Sequence, residues 1–231
     1  MNAIIVCGGL STRLGEITKN IPKVLLKIKD KTVLEWQIEK LRSLGISEVV
    51  LAAGHLAQVL YKQIGLHLNG VNFIYAIESE PLGTGGAIKN AWHYLTRVRD
   101  PVLILNGDIL TTIDLADMAG CLRPMTDGII LGAKVPDTAS YGTLEYDNRF
   151  HLRSFREKEG KHTPGFINGS VYLFNQQVQK YFPTQATFSM EYDIFPRMTN
   201  LFVYQSDRPW VDIGSPERLA WARENWNENV K

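Results

Sequence analysis

The first residues able to do chemistry stand close together. The segment "AIIVCGGLSTRLGEITKNIPKVLL", residues 3 to 26, runs from an apolar stretch into Gly8, Gly9, Ser11, Thr12, Arg13, Gly15, Pro22 and Lys23. Adjacent glycines permit φ > 0 and let backbone N–H groups approach a ligand. An arginine fork and a lysine point charge suit phosphate oxygens. The plainer reading is a tight turn with a solvated cationic face, and the loop alone leaves the two evenly balanced. Its spacing matches neither common phosphate loop. Glu16-Ile17 follows Gly15 where a P-loop needs Lys and Ser or Thr, and "GGLSTRLG" lacks the glycine spacing of a dinucleotide fingerprint. Two carboxylates, Asp108 and Asp212, each close a strand-like run, "VLILNGD" and "LFVYQSDRPWVD". If both runs end at the sheet edge that carries the loop, the pair can share one Mg²⁺, which is commonly held by one or two carboxylates plus phosphates and water. Each alone reads equally well as a turn or cap aspartate.

Other chemistries are poorly represented. His55, His67, His93, His151 and His162 form no i,i+4 pair, and Cys7 and Cys121 fit no metal spacing, so the cysteines read as free core thiols. Lys plus Arg (25) nearly balances Asp plus Glu (24), which excludes a field built for nucleic acid or an anionic membrane. With no basic n-region and no long apolar run, the chain reads as cytoplasmic.

The elements that must position these residues are legible in the periodicity. "AIIVC", "EVVLAA", "NFIYAI" and "PVLILNGD" are strand-like and alternate with helical stretches such as "TVLEWQIEKLRSLG" and "GGAIKNAWHYL". That alternation predicts an α/β fold with a mostly parallel, Rossmann-like sheet flanked by helices. Thr32 with Glu35 forms a capping box, Leu34, Ile38, Leu41 and Leu44 form one stripe, and Gly45 takes the C′ position. From about residue 128 shorter strands, "GIILGAKV", "YGTLEYD", "HLRSF" and "INGSVYLF", predict an antiparallel elaboration. Ser215-Pro216 opens a last helix reaching about Trp226. A single domain over 1–231 is expected, in two parts, about 1–127 and about 128–231.

With these motifs in hand, the chain resembles the sugar nucleotidyltransferases, the sugar-phosphate NTP-transferase family. "GGLSTRL" followed by "PK" is similar to their G-G-x-G-T-R-L…P-K signature. "EPLGTGGAI", "LNGD", "YGTLEYD", "FREK", "INGSVYLF" and "WVDIGSPE" follow in the family's order, so the resemblance spans about residues 1 to 221. Ser11 departs from the family glycine and Val24 from a common proline. Such enzymes join a sugar 1-phosphate to an NTP and release pyrophosphate. The acceptor phosphate is already ionised, so no general base or covalent nucleophile is required, only in-line positioning and charge neutralisation.

The resemblance implies that about 1–127 serves the nucleotide and about 128–231 the sugar, and it implies roles residue by residue. Gly8, Gly9, Ser11 and Thr12 would face base and ribose, Arg13 the β and γ phosphates, and Lys23 the α-phosphate. Gly83, Thr84, Gly85 and Gly86 would form a second nucleotide wall. Asn106, Tyr141, Gly142, Glu157, Lys158 and Asn168, with Gly169, would receive the sugar phosphate, and Glu191 is a weaker candidate. Asp108 and Asp212 would hold Mg²⁺. Within the family the likeness runs to guanylyltransferases acting on heptose or mannose 1-phosphates, which implies GTP and D-glycero-α-D-manno-heptose 1-phosphate, with a mannose substrate or a uridylyl-, thymidylyl- or cytidylyltransferase as alternatives. A monomer or homodimer is expected. The chain ends soon after "WVDIGSPE", so no β-helical acyltransferase is expected. A catalytically silent sugar-nucleotide sensor is the reading of another class, but such proteins tend to lose the cations and carboxylates that this sequence keeps. A nicotinamide oxidoreductase lacks its fingerprint.

Overall fold

Short runs of Ile, Val, Leu and Ala with few charges form strands buried on both faces, and these make the frame of the computed structural model, which describes residues 1–156, 160 and 162–227. The chain begins with β1 (Asn2–Val6), two 3-10 turns (Thr12–Thr18 and Lys23–Leu25), a small hairpin of β2 (Lys27–Ile28) and β3 (Lys31–Thr32), and α1 (Val33–Ser43). Then come β4 (Glu48–Ala53), α2 (Ala57–Ile64), β5 (His67–Leu68), β6 (Val71–Ile77), α3 (Gly83–Trp92), β7 (Val102–Asn106), β8 (Ile109–Thr111) and α4 (Leu115–Gly120). The remainder supplies β9 (Gly128–Val135), β10 (Thr143–Tyr146), β11 (Leu152–Arg156), β12 (Gly165–Phe174), β13 (Leu201–Ser206), β14 (Trp210–Asp212) and α5 (Pro216–Asn225).

The main sheet runs β11-β10-β12-β7-β1-β4-β6-β5. Its β6-β4-β1-β7 portion is parallel, and the winding direction reverses between β1 and β7. In such sheets ligands bind at that reversal, outside the carboxyl ends of the strands. The loops after β1 and β7 meet there, where the Gly107 N–H donates to the Val6 carbonyl at 2.8 Å. A Cβ on Gly107 would stand 2.9 Å from that oxygen, so glycine sets how closely the two loops approach.

The second half extends the sheet as expected, β12 pairing antiparallel with β7, β9 and β10. Two expectations change. β13 lies parallel to β9, so the elaboration is not purely antiparallel. The run "LFVYQSDRPWVD" is two strands, and its second piece, β14, leaves the main sheet to pair antiparallel with β8. Cys121 is exposed, so it is not the core thiol anticipated.

Helix α1 carries its full capping box, and Leu34, Ile38 and Leu41 are completely buried. Gly45 takes φ +72° and its N–H donates to the Arg42 carbonyl at 2.8 Å, closing the helix. Successive β1 residues serve opposite layers, Ala3 and Ile5 facing one core and Ile4 the other. A third cluster joins α5 to the hairpin and the opening turn through Leu14, Ile28, Ile213, Leu219 and Trp226. The first and last segments are thus brought together beside the switch point.

Helix α3 is seated against residues 186–190 by its glycines. The N–H groups of Gly85 and Gly86 both donate to the Phe188 carbonyl, at 3.0 and 3.2 Å. A Cβ at Gly86 would collide with the Ala186 carbonyl oxygen and stand 2.8 Å from the Leu82 Cβ. Gly86→Ala is therefore expected to destabilise the protein by about 1–3 kcal/mol through overpacking, despite alanine's better helix propensity. Thermal denaturation checks this, and an unchanged midpoint would show that the segment is not held this tightly.

Candidate active site

The opening loop uses its residues differently from the way adjacent glycines suggest. Neither Gly8 nor Gly9 has positive φ; the left-handed positions are Ser11 (φ 54°) and Gly15 (φ 52°, ψ −126°). Ser11 thus takes the conformation for which glycine is the unstrained choice. Its carbonyl accepts from the Leu14 N–H at 3.0 Å and the Thr18 hydroxyl at 3.2 Å, which over-determine the turn. Gly8 is required for space. A Cβ there would lie 2.7 Å from Glu78 Oε1, and one on Gly54 would lie 2.5 Å from the same atom. Gly9 has nothing within 4 Å of its Cβ position and is open, as a ligand-facing backbone must be. Thr12 and Arg13 are exposed beside it.

Two aspartates are carried by one short ribbon. Asp108 directly precedes β8, Asp212 pairs with Ile109 across the β14–β8 ladder, and the Ile213 N–H donates to the Asp108 carbonyl at 2.8 Å. The two strands do not share an edge of the main sheet as expected; the backbones of Asp108 and Asp212 are linked instead through this antiparallel ribbon. Each carboxylate meets a cation. Lys23 Nζ lies 2.8 Å from Asp108 Oδ2, and Arg218 donates to Asp212 Oδ1 at 2.8 Å. Arg13 reaches the same place, one guanidinium nitrogen lying 3.3 Å from the Cβ position of Gly214, although Arg13 has no hydrogen bond of its own among the described residues. Asp212 Oδ2 is buried without a hydrogen-bond partner. Oxygen donors that include one such orphan fit a hard divalent cation.

On the sugar side, Tyr141 packs edge-on against Trp210 with centroids 5.6 Å apart, and the Arg218 guanidinium lies 5.4 Å from the Tyr141 ring centre. Burial, then the Asp212 charge, push the Tyr141 hydroxyl up to about 12, so it is a hydrogen-bond donor at neutral pH. It feels Asp212 without forming an ordinary hydrogen bond to Oδ2. Gly142 leaves room for the Phe155 ring, and its carbonyl accepts from the Asn168 N–H at 3.0 Å. The Asn168 side chain sits at an irregularity of β12, donating to the Tyr172 hydroxyl and accepting from Ser170 N–H. The Gly169 carbonyl accepts from Trp210 Nε1 at 2.9 Å. Glu157 and Lys158 lie outside the described residues.

The second wall is corrected most. Gly85 and Gly86 are buried with their N–H groups on Phe188, so they seat α3 and do not offer free amides to a base. Gly83 has φ +72° and a Cβ position 2.6 Å from the Phe188 oxygen. The Thr84 hydroxyl donates to Glu191 Oε2 at 2.7 Å and accepts from Met190 N–H at 3.0 Å. Glu191 also receives the Ser189 hydroxyl at 2.6 Å, so this pair ties α3 to residues 189–191.

Three residues escaped the sequence reading. Glu78 directly follows β6, beside Gly8 and Gly54, and accepts from Leu82 N–H at 3.3 Å; burial raises its pKa, and that hydrogen bond partly offsets the rise. Its only sequence signal was its place two residues before "EPLGTGGAI". Arg218, six residues after Asp212, carries no signal in the sequence beyond its place in the last helix. Gln37, 3% exposed on α1, donates to the carbonyls of Asn106 and Ile109 at 2.8 and 3.0 Å, bracketing Asp108. The Asn106 side chain has no hydrogen bond among the described residues.

A glycine-containing loop, cations and two carboxylates thus stand together at the switch point of an α/β sheet. The chain belongs to the nucleotidyl transferase family, whose family model matches residues 2–229. It is 38% identical to the D-glycero-alpha-D-manno-heptose 1-phosphate guanylyltransferase of Campylobacter jejuni over 220 residues, 94% of this chain and 96% of that one. It is 33% identical to the Aneurinibacillus thermoaerophilus protein of the same name, over 97% of each. Among solved structures, HddC from Yersinia pseudotuberculosis superposes with TM-score 0.83 at 32% identity, covering 96% of this chain and 98% of that one. The same protein complexed with GMP-PN superposes with TM-score 0.80.

Ser11 provides a direct test of the loop geometry. A left-handed non-glycine residue costs about 1–2 kcal/mol, partly offset in a glycine variant by chain entropy. Ser11→Gly is expected to keep or raise thermal stability, and Ser11→Val to lower it by about 1–2 kcal/mol. Equal stability of the two variants would contradict a left-handed residue here.

Proposed function

We propose that this protein is a sugar 1-phosphate guanylyltransferase, joining GTP to D-glycero-α-D-manno-heptose 1-phosphate with release of pyrophosphate. The observation that carries the nucleotide choice is Glu78, whose carboxylate stands against Gly8 and Gly54 next to the open backbone of Gly9. A carboxylate only accepts hydrogen bonds, through two oxygens, and guanine offers two parallel donors, N1–H and its amino group. Uracil and thymine offer one donor between two carbonyls, and adenine and cytosine offer one donor beside an acceptor nitrogen. Only guanine meets both oxygens with donors. The heptose is supported by the two relatives of that name.

In the reaction, an oxygen of the ionised sugar phosphate forms a bond to the α-phosphorus of GTP while the bond to the β-phosphate oxygen breaks, and pyrophosphate carries away the electron pair. Arg13, exposed and without a hydrogen-bond partner among the described residues, is placed to receive the departing pyrophosphate. Lys23 is kept near the reacting phosphate by Asp108 and can turn its other two ammonium hydrogens to phosphate oxygens. Arg218 orients Asp212 from behind, and Trp210 and Tyr141 form a wall for the sugar. Asp108 and Asp212 would hold Mg²⁺, which when bound supplies Lewis-acid stabilisation of phosphate charge. No helix among the described residues is long and apolar enough to cross a membrane.

Pyrophosphate release with GTP, UTP, dTTP, CTP and ATP against a panel of sugar 1-phosphates tests the reading, with GTP and the heptose phosphate expected to give the highest kcat/KM. GTP as the poorest donor would overturn it. Glu78→Gln should lower kcat/KM for GTP about tenfold or more, and shift the preference toward UTP, because glutamine donates as well as accepts. The raised pKa of Glu78 sets the pH dependence: the side chain takes up its proton at higher pH than an ordinary glutamate, so GTP affinity should begin to fall earlier on the acid side.

A further inference from the structure

Gln37 is buried on α1 together with Leu34, Ile38 and Leu41, and it is only 3% exposed. An amide in such a place is unfavourable unless its groups are bonded. Its Nε2 donates to the Asn106 carbonyl at 2.8 Å and to the Ile109 carbonyl at 3.0 Å. Its Oε1 is buried without a hydrogen-bond partner. Turned the other way, the amide would set that oxygen against two carbonyl oxygens, so chemistry fixes where the nitrogen stands. The side chain thus uses both donors and leaves its acceptor unsatisfied, an arrangement that stability alone does not favour. An apolar residue would continue the stripe with no such atom. What the two donors hold accounts for the choice.

The two carbonyls lie on either side of Gly107-Asp108. That turn has two backbone ties besides, Gly107 N–H to the Val6 carbonyl and Ile213 N–H to the Asp108 carbonyl, both 2.8 Å. These fasten it to β1 and to the end of β14, and Gln37 fastens it to α1. The helix is a firm support, because its capping box is complete and its stripe is fully buried. Beyond the turn, the Asp108 carboxylate holds Lys23 Nζ at 2.8 Å. A shift of the turn therefore moves a carboxylate and a cation together.

We propose that Gln37 is a positioning residue for the reaction: through both amide hydrogens it sets where the Asp108 carboxylate, and the Lys23 ammonium paired with it, meet the nucleotide phosphates. This rests on the reading above, in which Asp108 holds the metal ion and Lys23 serves the reacting phosphate. Gln37 is buried beneath the turn and acts only through it.

Nuclear magnetic resonance of the free wild-type chain reads the contact without any variant: both Gln37 side-chain amide hydrogens should exchange slowly with solvent, because both are bonded and buried. Gln37→Met keeps the length of the side chain and removes both donors. The Gly107 and Ile213 amides should then exchange about tenfold faster through local opening, with circular dichroism unchanged. In the presence of GTP, Mn²⁺ affinity and kcat for pyrophosphate release should each fall about 10–100-fold. At saturating Mg²⁺, KM for GTP should change less than about twofold, because the contacts of Glu78 are untouched. Gln37→Glu, which keeps the shape and replaces the donors by acceptors, carries the same expectation should the methionine variant not fold. Fast exchange of the Gln37 amide in the wild type overturns the proposal, as do wild-type kcat and Mn²⁺ affinity in a folded variant. Lower thermal stability with kcat unchanged also overturns it, since the contact is then structural only. Failure of the underlying reading looks different, because the wild type itself then neither releases pyrophosphate from any nucleotide nor holds Mn²⁺ with GTP, and the proposal falls with it.

Discussion

Two ion pairs hold the ends of the chain at the switch point of the sheet, Lys23 with Asp108 and Arg218 with Asp212, each at 2.8 Å. Asp108 and Asp212 are joined through the Ile213–Asp108 hydrogen bond, and each is balanced by a cation from elsewhere in the chain, Lys23 from the opening turn and Arg218 from the last helix. Charges a few ångströms apart in a partly buried site interact several times more strongly than in water. Closing the chain's first and last segments onto β8 therefore has an electrostatic reason as well as the apolar one given by Leu14, Ile28, Ile213 and Leu219. The same balance serves the substrates. On the proposed reading, phosphates entering the site would bring negative charge to cations that are already in position, so little reorganisation would be needed.

Glycines set the distances on which this arrangement depends. Gly107 lets the β7 loop rest on the Val6 carbonyl, and Gly8 and Gly54 make room for the carboxylate of Glu78. Desolvation of that carboxylate is unfavourable for its charged form, and two ligand donors would offset it. On the proposed reading, substrate recognition would thereby compensate for a cost built into the free protein. The packing of Gly85 and Gly86 on Phe188 keeps the start of α3, and with it Leu82, next to Glu78.

Much of this was legible in the sequence. The parallel half followed from alternating period-2 and period-3.6 patterns, and α1 was readable from Thr32 and Glu35 to Gly45 because caps are local. Arg13, Lys23, Asp108 and Asp212 could be named from their motifs, and the structure brings them to one edge. What stayed hidden is non-local. The division of "LFVYQSDRPWVD" into β13 and β14 depends on the partner strand β8. Gln37 stands on a helix whose stripe gives no sign of a buried amide. Gly85 and Gly86 read as ligand-facing because glycine's tolerance of close approach does not say what approaches, and here it is Phe188. Ser11 was visible as a departure from a motif, but its left-handed conformation was not.

The central claim, that Asp108 and Asp212 form one divalent-cation site completed by nucleotide, is tested most directly by titrating the protein with Mn²⁺ in the presence of GTP and following the protein-bound ion by electron paramagnetic resonance. The account predicts one tightly held ion in the wild type, with Asp108→Asn and Asp212→Asn each weakening it about 10–100-fold while circular dichroism shows an intact fold. Wild-type affinity for Mn²⁺ in both variants would contradict it.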